Sequence, residues 1–234
     1  MMIDVWYDAH ALADSVMADA YEALRDEDRA ALKKCIARQH VVWGEYAAHA
    51  SRTRSFRQGF DLAEDVAPAA YALLVCEASY PFAAAFAAAL MPALLAGVSA
   101  VLPCFIPAQD QAPGRDPGGQ GVRAPLAPLL GTLELAGVER AFAASESEIC
   151  DLAELLRTKG DHGSGGRIIL LGKPGFAESL ILPAHRAGVL CRSLHREDGA
   201  EAASLHQDAA HQDVWFWPDL GPGWFRTRRM RIFS

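Results

Sequence analysis

The chain has 234 residues, 51% of them hydrophobic, enough for one large core or one domain with an appendage. Its formal net charge of −7 argues against nucleic acid as a main partner, since that binding depends on Lys and Arg neutralising phosphates, but a local site for a small anion remains open. Five cysteines, Cys35, Cys76, Cys104, Cys150 and Cys191, are widely spread with no CxxC pair, which suits small buried residues in a reducing cytoplasm better than a disulfide framework.

The N-terminus, Met1-Met2-Ile3-Asp4, has neither a basic nor an apolar leader region, so a secretory signal is not expected. Residues 9–27 and 28–54 are expected to form two helices. Leu12, Val16, Ala20 and Leu24 share one helical face, and Leu32, Ile36 and Trp43 share another. The basic, polar stretch 51–59 reads as a link into the core. Between Val66 and Gln109 the only charged residue is Glu77, but Pro81, Pro92, Gly97, Pro103 and Pro107 divide the run into pieces of strand and helix length. Such pieces suit a sheet buried on both faces, so no membrane span is expected.

From there strands and helices alternate. Strands are expected at 72–76, 98–102, 138–143 and 167–171, with another starting at 189. Helices are expected at 81–95, 124–136, 145–159 and 175–187, closed by Gly97, Gly137, Gly160 and Gly188. The glycine-rich stretch 107–123 is a loop. This alternation implies right-handed crossovers: a doubly wound, mostly parallel, Rossmann-like α/β sheet with an N-terminal helical segment. The expected divisions are 1–60 for helices packing on the core, 61–200 for the core, and 201–234 for a tail that could supply an oligomerisation strand. In such sheets ligands bind at the carboxyl ends of the strands, so chemistry is sought after Cys76, Leu102, Ala143 and Leu171.

Three passages at these junctions resemble the histidinol dehydrogenase branch of the aldehyde/histidinol dehydrogenase superfamily. Ser79-Tyr80-Pro81-Phe82, with the later Pro92-to-Val98 segment PALLAGV, resembles that family's "AYPSS…IPAKVAGV". Residues 133–140, LELAGVER, resemble "AAxLAGVDEI", and Gly172-Lys173-Pro174-Gly175 stands where the family has "GPGN" after a strand. The likeness covers residues 70–190, about half the chain. It implies an ancestral NAD-binding domain acting on an alcohol or aldehyde, with NAD or NADP as the cofactor if one is retained. It also makes dimerisation through strands, and so a homo-oligomer, an expectation here.

Departures from the family weigh against the ancestral activity. Where histidinol dehydrogenases have a "GGAQA" turn, this chain has Ala143-Ala144-Ser145-Glu146-Ser147-Glu148-Ile149. Ser145 and Glu148 have capping-box spacing, which satisfies the helix's first amides, and Glu146 and Glu148 would repel a pyrophosphate. The zinc-binding "QAEHD" segment and the acid/base Glu-His pair have no counterpart. Nor do the cofactor-contacting lysine of the aldehyde dehydrogenases' "KPSE" and their "ELGGK" turn.

The candidate cofactor-binding residues are therefore Ser79, Tyr80, Gly172, Lys173 and Gly175, where a glycine-bounded turn with a lysine can present amides and a cation to a phosphate or carboxylate. Cys191, in a segment faintly like the "GQxC" nucleophile of aldehyde dehydrogenases, is the candidate catalytic residue, although a cysteine ending an apolar strand also reads as core. His195, His206, His211, Asp208 and Asp213 are metal-ligand types without metal-ligand spacing, so no metal site is expected. Trp215, Trp217, Trp224 and Phe225 beside Arg226, Arg228, Arg229 and Arg231 suggest subunit contact or packing of the tail. Two functions follow. One is a reduced, non-catalytic module for ligand binding or assembly, taking a small anionic or nucleotide-like ligand. The other is an active NAD(P)-dependent oxidoreductase using Cys191.

Overall fold

The computed structural model describes residues 3–44, 49–107, 123–159, 165–186, 189–194, 217 and 219–233. Three helices come first: α1 (Ile3–His10), α2 (Asp14–Ala23) and α3 (Asp26–Trp43). The helix expected over 9–27 is thus broken at residues 11–13, where Ala11 bridges to Phe142 and the Leu12 amide donates to the Ala141 carbonyl. The second helix stops at Trp43, well before residue 54. The stretch expected to be a link instead forms strand β1 (Ala50–Phe56), turning through Gly59 at φ 87° into β2 (Phe60–Pro68).

The core follows in the expected alternation: β3 (Ala72–Glu77), α4 (Ala83–Leu95), β4 (Val101–Ile106), α5 (Arg123–Leu135), β5 (Phe142–Ala143), α6 (Glu146–Lys159) and β6 (Arg167–Leu171). A short 3-10 turn (Glu178–Leu180), α7 (Ile181–Arg186) and β7 (Leu190–Leu194) complete it, and β8 (Arg226–Phe233) ends the described chain. The expectation of a doubly wound α/β sheet holds. Five parallel strands lie in the order β5-β4-β3-β6-β7, with β3 at the centre. All of β6 and nearly all of β3 are buried, as central parallel strands must be.

Alternate residues of β3 sort the two faces. Leu74 and Cys76 point into a layer with Phe86, Leu90, Leu129, Leu130 and Leu133 of α4 and α5, backed by Met17 of α2, Leu24 just after it, and Leu32 of α3. Leu73 and Val75 point into the other, with Trp6 of α1 and Ile149 and Leu152 of α6. β4 runs later than the expected 98–102 because it continues through Pro103. That is tolerated at this position, since the ladder to β5 begins only at Cys104.

A second sheet, antiparallel and three-stranded, has the order β1-β2-β8. This arm is tied to the core by Arg167, only 6% exposed at the amino end of β6. Its guanidinium donates to the carbonyls of Trp224 (2.6 Å), Arg226 (2.6 Å) and Gly166 (3.0 Å) and lies over the Trp224 ring. No carboxylate pairs with it among the contacts described; main-chain oxygens satisfy the buried cation. Of the residues described before β8, Phe225 and Leu220 lie in the core and the Trp217 indole donates to the Ala85 carbonyl at 2.9 Å. Trp215 lies outside the described residues.

Candidate functional site

The chain leaves β3 through α4 on one face of the sheet and leaves β6 through α7 on the other. The carboxyl ends of these neighbouring strands therefore form the switch point, where the crossovers diverge and where sheets of this kind bind their ligands. Ser79 and Tyr80 lie in the loop after β3, and Gly172, Lys173 and Gly175 in the loop after β6. Residues far apart in sequence thus meet at one end of adjacent strands.

Glu77, the last residue of β3, connects the two loops. Its carboxylate accepts from the Ser79 hydroxyl at 2.8 Å and lies 3.6 Å from the Lys173 ammonium. The carboxylate is largely sheltered, whereas Lys173 is 81% exposed. Sequence reasoning noted Glu77 only as a lone charge in an apolar run. Its position as the final residue of a buried strand was the available clue, since such a charge sits at the ligand edge. Tyr80 is turned inward, 4% exposed, with its ring edge-on to Phe82 at 5.5 Å.

The second loop is built to stay tight. A Cβ on Gly172 would collide with the Phe176 ring, and Gly175 adopts φ 84°, a conformation open to glycine. The Phe176 amide closes a turn onto the Lys173 carbonyl at 2.9 Å. Ala177 also has positive φ, 52°, an uncommon choice for a residue with a side chain.

Two of the helix N-termini at this edge, those of α6 and α4, differ. α6 is closed by the expected capping box: the Ser145 amide donates to the Glu148 carboxylate at 2.8 Å, and the Glu148 amide donates to the Ser145 hydroxyl at 3.4 Å. The Ser145 amide and hydroxyl, with His10 at 3.3 Å, hold the Glu148 carboxyl below its usual range. The Ser179 hydroxyl donates to Glu146. An anion approaching α6 would therefore meet two carboxylates and amides already engaged. The first turn of α4 has no acidic residue and its N-cap, Phe82, makes no side-chain cap. Its dipole favours negative charge beside the β3 strand end.

Cys191 is not among the residues brought together. It is the second residue of β7, in register with Ile168, about 13 Å of strand rise before the level of Gly172. Burial pushes its thiol up to about 11. Cys76 and Cys104 are fully buried, with thiols raised by the same cause. His195, His206, His211, Asp208 and Asp213 lie outside the described residues. Among the described residues no group of three or more His, Cys, Asp or Glu is placed to hold a metal ion, and no helix is long and apolar enough to cross a membrane.

No protein-family model and no curated protein matches the chain. Solved structures do. Histidinol dehydrogenase from Elizabethkingia anophelis superposes with a TM-score of 0.55 at 15% identity, covering 80% of this chain and 40% of that enzyme. Succinate-semialdehyde dehydrogenase from Burkholderia pseudomallei (TM-score 0.43, 14% identity) is covered over 37% of its length by 81% of this chain. For an NAD-dependent benzaldehyde dehydrogenase from Corynebacterium glutamicum (TM-score 0.38, 16% identity) the shares are 46% and 82%. The chain thus spans less than half the length of these enzymes. On the first of these matches, it has the α/β fold found in histidinol dehydrogenase, the fold that the motifs around Tyr80, Gly137 and Gly172 implied.

Proposed function

We propose that the chain is a ligand-binding and assembly module on a dehydrogenase-type fold, without hydride-transfer chemistry of its own. The observation that carries this reading is the Ser79–Glu77–Lys173 bridge across the β3–β6 switch point. A carboxylate and hydroxyl that accept from sugar hydroxyls stand beside an exposed cation suited to a phosphate. That donor set matches a ribose phosphate or mononucleotide. A dinucleotide fits less well: NAD or NADP needs a pyrophosphate cradle at a helix N-terminus, and α6 fills its own with Ser145 and Glu148. The assembly half of the reading rests on the arm, whose strands contribute no residue to either hydrophobic layer of the core.

The test is titration of the full chain with AMP, ribose 5-phosphate, NAD and NADP, followed through the backbone amide resonances of Gly172, Lys173 and Gly175. Saturable shifts with AMP or ribose 5-phosphate, lost in Lys173→Glu, are expected. Reduction of NAD with any alcohol or aldehyde would overturn the non-catalytic reading. Absence of shifts with every phosphate ligand would remove the switch point as a site.

A further inference from the structure

The arm carries charge opposite to that of the rest of the chain. Its three strands hold six arginines and three carboxylates, a net charge of +3 in a chain of net −7. The arrangement is ordered. All three acids, Asp61, Glu64 and Asp65, lie on the middle strand β2, and every arginine lies on an outer strand. Glu64 pairs with Arg228, and Asp65 with Arg231 at 2.7 Å. Among the described residues β1 and β8 each pair on one side only, so each leaves a row of main-chain donors and acceptors open. β8 combines this open edge with exposed apolar side chains, Met230 at 56% and Ile232 at 72%. A groove of about 550 Å³ spans β8 and its neighbour β2, lined by Asp65, Ala67, Thr227, Arg229, Met230 and Arg231.

We propose that the arm docks an extended acidic segment of another polypeptide as a fourth strand along β8, its carboxylates meeting the arginines and its apolar side chains meeting Met230 and Ile232. The proposal rests on the assembly half of the reading above and not on the switch point. Strand addition is the mode that satisfies an open edge, and main-chain hydrogen bonds supply affinity while alternate side chains supply choice. Charge decides the partner. A two-fold antiparallel pairing of β8 with its own copy must set one residue opposite itself, and every choice from Arg226 to Arg231 puts at least one arginine opposite another. β1 has the same property for centres from Arg52 to Arg54. A nucleic acid could neutralise the arginines but not complete the ladder, and it would meet the β2 carboxylates between them.

The experiment titrates the full chain with two short peptides, one alternating glutamate with valine and one alternating lysine with valine, and with a single-stranded oligonucleotide. The readout is hydrogen exchange of the amides of residues 226–233. The glutamate peptide should bind, slow exchange along β8, and weaken as salt rises. Arg229→Glu should weaken it roughly tenfold. Exchange of the β2 amides reports whether that variant's arm remains folded; if it does not, Arg229→Gln replaces it. Equal binding of both peptides, no binding of the glutamate peptide at low salt, or preference for the oligonucleotide would each overturn the proposal. So would a chain that already sediments as a dimer with its β8 amides protected, because the occupant would then be a second copy. A failed switch-point site shows instead at Gly172 and Lys173, so the two failures are separable.

Discussion

Arg167 joins the two sheets through main-chain carbonyls and the face of the Trp224 ring, with no carboxylate partner among the contacts described, which makes it a sensitive point for stability. Replacing it with Leu leaves the Trp224, Arg226 and Gly166 oxygens without their charged donor. The expected loss is about 3 kcal/mol, with faster amide exchange in β8 preceding global unfolding. Chemical denaturation and hydrogen exchange check both parts. Arg167→Lys should recover part of the loss, since an ammonium reaches fewer of these oxygens than a guanidinium fork does. Cys191 supports the opposite expectation. A thiol pushed up to about 11 by burial is scarcely thiolate at neutral pH, so alkylation by iodoacetamide should be much slower than for free cysteine. Cys191→Ser should leave nucleotide binding at the switch point unchanged. A fast-reacting Cys191, or loss of binding in the serine variant, would revive the oxidoreductase alternative.

Capping of α6 illustrates how far an element can be read from its sequence. Ser145 and Glu148 stand three residues apart just before an apolar-periodic run, and that local pattern folds into reciprocal hydrogen bonds between the two residues. Ser145→Ala should cost about 1 kcal/mol at neutral pH. Because the folded Glu148 carboxyl is held below its unfolded value, its contribution is present above the usual 4.5 and is lost as pH falls through the folded value. The gap in thermal midpoint between wild type and Ser145→Ala should therefore narrow as the pH is lowered below 4.5. A gap independent of pH would show that the hydroxyl acts on the backbone alone. β1 is the counter-example. Ala50–Phe56 is exposed at every residue, so it has no buried face to impose alternation and was legible only as a polar link. What organises it is pairing with β2, such as the Ser51 hydroxyl donating to Asp65 at 2.7 Å, and that partner lies across the hairpin.

At the scale of the molecule, apolar segments of strand length between glycine-closed helices determined the parallel sheet, because a strand buried on both faces must be written in continuous hydrophobic residues. The sequence by itself also determined the closed N-terminus of α6 and the tight turn at Gly172 to Gly175, both set by contacts within a few residues. It did not determine strand order. Only the tertiary structure put β6 beside β3 and not beside β5, and only that choice creates a switch point where Lys173 meets Glu77 across nearly a hundred residues. The arm depended on the same step. β8 joins β2 from the far end of the chain, and Arg167 fastens both to the core. Local patterns record burial and backbone preference, which neighbouring residues can express. Which strand end faces which depends on crossovers closing through the whole chain, and that is decided only when the layers pack.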